Sequence, residues 1–254
     1  MATGEIDSTA FEGTLLIGWD GERLHWVAAN KAEPQDWGVL PELDQLAALA
    51  DQFASATAVK LCLLRPVCSI APAAVAEGIE GHVLALQHGA ADEGTTSKAF
   101  HTDRLGEGVA LVEAGHFAEQ DVFLGAFPMA RWVSATLGMI EFAVNEAGTQ
   151  GWDAEVRVDV GEARALMVHC RDGALRWCSV TEDLAGDGLL YHVVNALHRD
   201  GVEASDVSCR VVFSGLVEED SPVVVQFRRF FPAVEVEQRH AELGASALLM
   251  HAAS

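Results

Sequence analysis

The chain has 254 residues, half of them hydrophobic, which is enough for one large domain or two small ones with a full core. No apolar run approaches the roughly 20 residues that a membrane-spanning helix needs, so direct membrane insertion is not expected. The net charge of −22 repels the phosphates of nucleic acid and argues against nucleic acid as a partner. We interpret this charge as a halophilic adaptation to a salty cytoplasm, with an ordinary acidic protein as the alternative.

Residues 1–12 are polar and acidic and are expected to form a flexible tail. They lack the basic and apolar regions of a signal peptide, so a cytoplasmic location is expected. The five cysteines include no C-x-x-C and lie mostly in apolar patterns, which predicts buried, reduced thiols. The ten histidines show none of the spacings of a metal site on a helix, so no metal site is expected.

The first half begins with a predicted hairpin whose tight turn is Asp20-Gly21. Residues 29–40 are expected to be a loop, and a helix is predicted from Pro41 to residue 54. Residues 65–75 and 89–102 are expected to be irregular, and residues 121–127 a short strand or turn. Pro128 is expected to begin a helix that ends near residue 147. The remaining strands of this half are predicted at 13–19, 22–28, 59–64, 82–87 and 109–113.

The second half gives a clearer pattern, which begins after a break at 148–153. Three strands joined by two tight turns are predicted, with Asp159-Val160-Gly161 at the first turn and Asp172-Gly173 at the second. The order βββαβαβα follows from elements at 154–160, 163–169, 174–180, 186–199, 207–213, 220–230, 233–236 and 239–252.

A weaker copy of this order is present in the first half. The fold class predicted is therefore α/β, with duplicated βββαβαβα subdomains of the ribonuclease H-like or actin-like kind flanking a cleft. The first subdomain is expected at 13–150, with an insertion at about 66–127, and the second at 151–254. The turns at Asp20-Gly21 and Asp159-Val160-Gly161 would face each other across the cleft.

Three segments carry a family resemblance: 158–161, 186–191 and 211–216. With them, the chain resembles the actin-like ATPase superfamily. Within it, the chain looks most like the pilus- and secretion-associated branch of PilM and GspL, and it is also similar to the DUF3822 family of Bacteroidetes. The small-residue tail at 242–249 resembles the helix that closes the fold in PilM.

The resemblance implies roles for six residues in a nucleotide-binding cleft. Asp20 and Gly21 would correspond to the first phosphate loop, and Asp159 and Gly161 to the second. Ser214 and Gly215 would correspond to the loop that flanks adenosine. If this cleft is functional, its cofactors would be ATP and Mg²⁺, with Asp20 and Asp159 as a carboxylate pair.

Two departures from the family pattern favour a different function. Glu22 follows the first turn, where its charge would repel phosphate, and Leu216 replaces the second glycine of the adenosine loop. We therefore predict a non-catalytic actin-like scaffold or interaction protein with a degenerate cleft and no cofactor. By resemblance, its partner would be a protein, in a membrane-anchored assembly contacted from the cytoplasm. The alternatives are a nucleotide-binding ATPase or kinase and, third, a ribonuclease H-like nuclease.

Overall fold

The computed structural model describes residues 11–40, 42–76, 95–116, 120–185, 187–206 and 208–253. Most of the predicted tail, the predicted strand at 82–87 and the residues Pro41 and Gly186 lie outside these ranges. Within the described residues, no helix is long and apolar enough to cross a membrane.

The elements of the first half alternate between strands and short helices. In chain order they are β1 (Thr14–Trp19), β2 (Leu24–Asn30), β3 (Glu33–Leu40), a 3-10 turn (Leu43–Gln45), α1 (Leu46–Gln52), β4 (Ala58–Leu63), β5 (Val67–Pro72), α2 (Ala73–Ala76), β6 (Thr95–His101), a 3-10 turn (Asp103–Leu105), β7 (Val109–His116), α3 (Gln120–Ala126), β8 (Arg131–Trp132) and α4 (Ala135–Gln150).

The second half starts with three strands in hairpins and then alternates strands with helices. Its elements are β9 (Ala154–Val160), β10 (Ala165–Arg171), β11 (Ala174–Thr181), α5 (Asp187–Arg199), β12 (Cys209–Gly215), α6 (Pro222–Phe227), β13 (Ala233–Val236) and a C-terminal 3-10 segment (Ala241–Ala252) that is interrupted at Gly244.

The two halves form five-stranded sheets of the same topology. The strand order is β3-β2-β1-β4-β8 in the first sheet and β11-β10-β9-β12-β13 in the second. In each sheet the first three strands are antiparallel and the last two run parallel to the first strand of their half. The predicted duplication of the βββαβαβα order is therefore confirmed.

Each sheet has an outer face covered by its own helices and an inner face that meets the other half. In β1, Leu15 and Ile17 join the outer core and Leu16 joins the inner core, as the two-residue period of a strand requires. On the inner side α4 packs on β9–β11, while the C-terminal segment packs on β1–β4 and β12. The two elements cross where Gly138 leaves no room for a side chain beside the His251 carbonyl.

The inner face of the second sheet also buries charged residues. Glu155 is fully buried and forms ion pairs with Arg157, at 2.6 Å from its Nε, and with Arg210. The guanidinium of Arg157 also lies 4.5 Å from the ring centroid of Phe142 on α4. The polar side of β9 is thus satisfied within the fold rather than by solvent.

A three-stranded antiparallel sheet, in the order β5-β7-β6, is inserted between β4 and α3. On β7, Glu113 is buried and accepts a 2.6 Å hydrogen bond from Oγ of Ser134, the residue that caps α4. Burial raises the pKa of Glu113 to about 7, although the hydrogen bond from Ser134 lowers it in part. The inserted sheet is therefore tied to the start of α4 by a carboxyl that burial favours in its neutral form.

Several local predictions in the first half are wrong. Strands β3, β5 and β6 lie where loops or irregular segments were expected. All three are edge strands of their sheets, and in β3 the half-exposed polar positions hide the two-residue period. Residues 120–126 form α3 because Phe123 and Phe127, four residues apart, pack together on the outer core. The helix expected from Pro128 starts at Ala135, since 131–132 form β8.

Candidate functional site

The first candidate loop is the turn between β1 and β2. Oδ1 of Asp20 accepts hydrogen bonds from the backbone N–H groups of Glu22 and Arg23, at 2.9 and 2.8 Å. Gly21 takes φ +108, which glycine allows without steric cost. Oδ2 of Asp20 lies 2.7 Å from Nε2 of His25. Both carboxylate oxygens of Asp20 are therefore already bonded within their own hairpin.

The environment of Asp20 also stabilises its ionised form. Burial raises its pKa, but the hydrogen bonds from His25 and from the backbone of Arg23 and Glu22 outweigh burial and hold the pKa well below its ordinary value. Nδ1 of His25 in turn lies 3.1 Å from Oγ of Ser246 on the C-terminal segment. The first turn is thus fixed to the segment that closes the fold.

The second candidate loop follows β9 and brings together the other four predicted residues. In the parallel pair β9–β12, Asp159 lies opposite Ser214 and Val160 opposite Gly215. Oγ of Ser214 donates a 2.8 Å hydrogen bond to Oδ2 of Asp159. Gly215 takes φ +86 against the Val160 carbonyl, where a side chain has no room. Gly161 closes the turn by donating its N–H to the Arg164 carbonyl at 2.8 Å.

Arg65 fills the space between the two turns, and sequence reasoning missed it. Its guanidinium is 3% exposed, and Nη2 lies 2.5 Å from Oδ1 of Asp159. The same nitrogen donates to the carbonyls of Val160 and Ala245, at 3.4 and 3.1 Å. A Cβ on Gly161 would lie 2.8 Å from Nε of Arg65, so only glycine allows the guanidinium to pack against this turn.

A signal for Arg65 is present in the sequence. This arginine directly follows the buried apolar strand that became β4, in a chain with only 16 basic residues. Because β1 and β4 are parallel, their carboxyl ends meet at one edge of the sheet, beside the Asp20 turn. Arg65 also takes φ +50, which is unusual for a residue with a side chain.

Burial dominates the electrostatics of Asp159. Its side chain is 1% exposed, and burial raises the pKa of its carboxyl, while the charge of Arg65 and the hydrogen bond from Ser214 act in the opposite direction. The ion pair with Arg65 is thus the main compensation for placing a carboxylate in the interior.

The two turns face each other across a narrow gap. Arg23 on the first turn forms an ion pair with Glu162 on the second. The cavity between them has a volume of about 30 Å³ and is bordered by Glu22, Arg65 and Gly161. A larger cavity of about 340 Å³ lies on the other side of Asp159 and Ser214, against α4 and the C-terminal segment. Among the described residues, no group of three or more metal-ligating side chains forms a metal site.

Three solved structures are similar to this chain along nearly its whole length. A Bacteroides thetaiotaomicron VPI-5482 protein with an actin-like ATPase fold and unknown function has a TM-score of 0.75 and 13% identity, over 97% of this chain and 99% of that chain. PilM of the PilM-PilN type IV pilus biogenesis complex has a TM-score of 0.55 and 12% identity, over 96% and 97%. The ethanolamine utilization protein EutJ of Carboxydothermus hydrogenoformans has a TM-score of 0.50 and 9% identity, over 94% and 89%.

By sequence, no family model and no curated protein matches the chain. The structural likeness confirms the predicted resemblance to the actin-like ATPase superfamily and to PilM at the level of the fold. The two sheets have the same topology, α4 crosses the C-terminal segment between them, and the turns after β1 and β9 face each other. This chain therefore has the actin-like ATPase fold.

Proposed function

We propose that this protein is a non-catalytic actin-like scaffold or interaction protein whose nucleotide cleft is degenerate. The ion pair between Arg65 and Asp159 carries the proposal. By resemblance, Asp159 belongs to the second phosphate loop, where a carboxylate would face Mg²⁺ and phosphate. Here a guanidinium from the chain itself neutralises that carboxylate.

The surroundings of the ion pair support the same proposal. Between the two turns, the cavity of about 30 Å³ holds roughly one water molecule, which is far less than a triphosphate requires. Glu22 and Glu162 border this cavity, and their charges would repel phosphate oxygens. The larger cavity of about 340 Å³ reaches Asp159 and Ser214 from the other side, and neither Asp20 nor Gly161 borders it. Asp20 uses both oxygens within its own hairpin. These residues do not suit Mg·ATP.

A protein partner is the second element of the proposal. The solved structure of PilM is a complex with PilN in type IV pilus biogenesis, which supports a binding role for this fold. We propose that the present chain likewise binds a protein partner, as a scaffold that contacts a membrane-anchored assembly from the cytoplasm. Crosslinking in cells followed by membrane fractionation tests this part. We expect a defined protein complex in the membrane fraction, and recovery of the free chain alone would contradict it.

Thermal unfolding with and without saturating Mg·ATP tests the degenerate cleft. A ligand that binds only the folded state at 100 times its Kd stabilises by about 2.7 kcal/mol. For a chain of this length that corresponds to a rise in Tm of about 5–10 °C. We expect no rise, in low or in high salt, with Mg²⁺ alone as the control. A rise of this size that Asp159→Ala abolishes would instead favour the ATPase or kinase alternative.

A further inference from the structure

A third cavity, of about 350 Å³, lies on the outer face of the second half, away from the two turns. It is formed between the edge strand β11, the neighbouring β10 and the helix α5. Arg176 and Trp177 border it from β11, and His192, Asn195 and Arg199 border it from α5. A volume of this size falls in the range of small-molecule sites.

The charge of this cavity is opposite to that of the chain. The protein has 38 acidic residues and 16 lysines and arginines, yet two arginines border this one cavity against a single acid, Asp200. That acid is already engaged: its Oδ2 lies 3.0 Å from Nε2 of the buried His169 and 3.7 Å from Nη1 of Arg171. The local field therefore favours an anion in a protein whose overall field repels anions.

Hydrogen-bonding groups that the fold does not use converge on the cavity. Among the residues that the structure describes, the guanidinium of Arg199 and the amide of Asn195 form no hydrogen bond or ion pair. Arg176 has only a 3.6 Å contact with the exposed Asp172. These groups offer several N–H donors for the oxygen atoms of one bound group, and guanidinium groups bind carboxylate and phosphate with two parallel hydrogen bonds.

An apolar wall completes the cavity. Trp177 packs in part against the outer core of the second half and borders the same cavity as the two arginines. An indole that borders the same cavity as two guanidinium groups suits a ligand with a flat or apolar part next to its charged group. We infer that this cavity binds a small anionic molecule that places a phosphate or carboxylate between Arg176 and Arg199 and a flat group against Trp177.

Isothermal titration calorimetry with four probes tests the inference: inorganic phosphate, phenyl phosphate, citrate and benzoate. The titrations use the full chain in the lowest KCl concentration at which circular dichroism shows it folded. We expect saturable binding of at least one probe, with phenyl phosphate tighter than inorganic phosphate if the phosphate is the group recognised. A preference for the carboxylates instead identifies a carboxylate ligand and also supports the site.

Variants distinguish anion binding in this cavity from non-specific attraction of anions to any exposed arginine. Arg199→Ala and Arg176→Ala should each weaken binding about tenfold or more, because each removes a charged hydrogen-bond donor. Arg199→Lys should restore part of the loss, since it keeps the charge without the planar geometry. Arg229→Ala is the matched control, because Arg229 is exposed on the same half and does not border the cavity. The inference is overturned if no probe binds saturably, or if Arg199→Ala and Arg229→Ala bind equally well.

Discussion

Replacing Arg65 with methionine should destabilise the protein far more than losing an arginine from its surface. The change leaves the carboxylate of Asp159, which is 1% exposed, with Ser214 as its remaining hydrogen-bond donor. Removing one partner of a buried ion pair costs about 3–5 kcal/mol, because the other charge stays desolvated. At about 2–4 °C per kcal/mol for a chain of this length, Tm should fall by roughly 6–20 °C.

Arg164→Ala supplies the matched control on the same turn. Arg164 pairs with Glu182, and the two side chains are 33% and 73% exposed. An ion pair this exposed contributes at most about 1 kcal/mol, so its loss should lower Tm by less than about 4 °C. Thermal unfolding followed by circular dichroism measures Tm for both variants and the wild type. Urea unfolding measures the free energy of unfolding, with the m-value as a check on two-state behaviour.

A double-mutant cycle then isolates the ion pair itself. Asp159→Asn alone leaves the guanidinium of Arg65 without its charged partner, whereas Arg65→Met with Asp159→Asn leaves no buried charge at this point. The double variant should therefore lose less than the sum of the two single losses, by up to about 3 kcal/mol. Two results would refute the proposed role of the buried Arg65–Asp159 ion pair. One is strict additivity of the two single losses in stability, and the other is a loss for Arg65→Met no larger than that for Arg164→Ala.

Three further outcomes are expected. Burial raises the pKa of Glu113 from 4.5 to about 7, so the folded state binds this proton more tightly than the unfolded chain, and stability is lost as pH rises through this window. Glu113→Gln should remove that loss and stabilise by about 3 kcal/mol at pH 8 but not at pH 4, measured by urea unfolding; equal effects at both pH values would contradict it. Gly138→Ala places a methyl group against the His251 carbonyl and should cost about 1–3 kcal/mol, whereas Gly125→Ala, a helical site with open space, should stabilise by up to about 1 kcal/mol. Finally, the net charge of −22 should make Tm rise as KCl increases from low to molar concentration, and a falling Tm would rule out the halophilic interpretation.

The second half of the fold was predictable because its signals are local. Residues 154–160 alternate valine with polar residues between clear turns, and β9 has these bounds. The alternation also suggests a solvent-facing side, yet Glu155, Arg157 and Asp159 are buried under α4. Their partners explain why: Arg210 is 55 residues away from Glu155, and such pairs cannot be read from a local pattern.

The sequence could predict which strands border the candidate site, but it could not predict that Arg65 lies between the two turns. Asp159 and Ser214 lie one residue before the ends of two neighbouring parallel strands, so the sequence could place them together. Arg65 comes from the other half, and its direction depends on a backbone with φ +50 before Pro66, which no periodicity indicates. In the first half, edge strands such as β3 were missed because half-exposed polar residues are typical of strands and loops alike.

The crossing of α4 and the C-terminal segment links folding to the order of synthesis. The inner face of the first sheet, with Leu16, Val27 and Cys62, is covered by residues of 241–252, including Leu248 and Leu249. Those residues leave the ribosome roughly ninety positions after the end of α4, which takes about 5–20 s at ordinary translation rates. During that interval the inner face of the first sheet stays exposed, because the segment that covers it has not yet been synthesised. We therefore expect chaperones to be needed most at that stage.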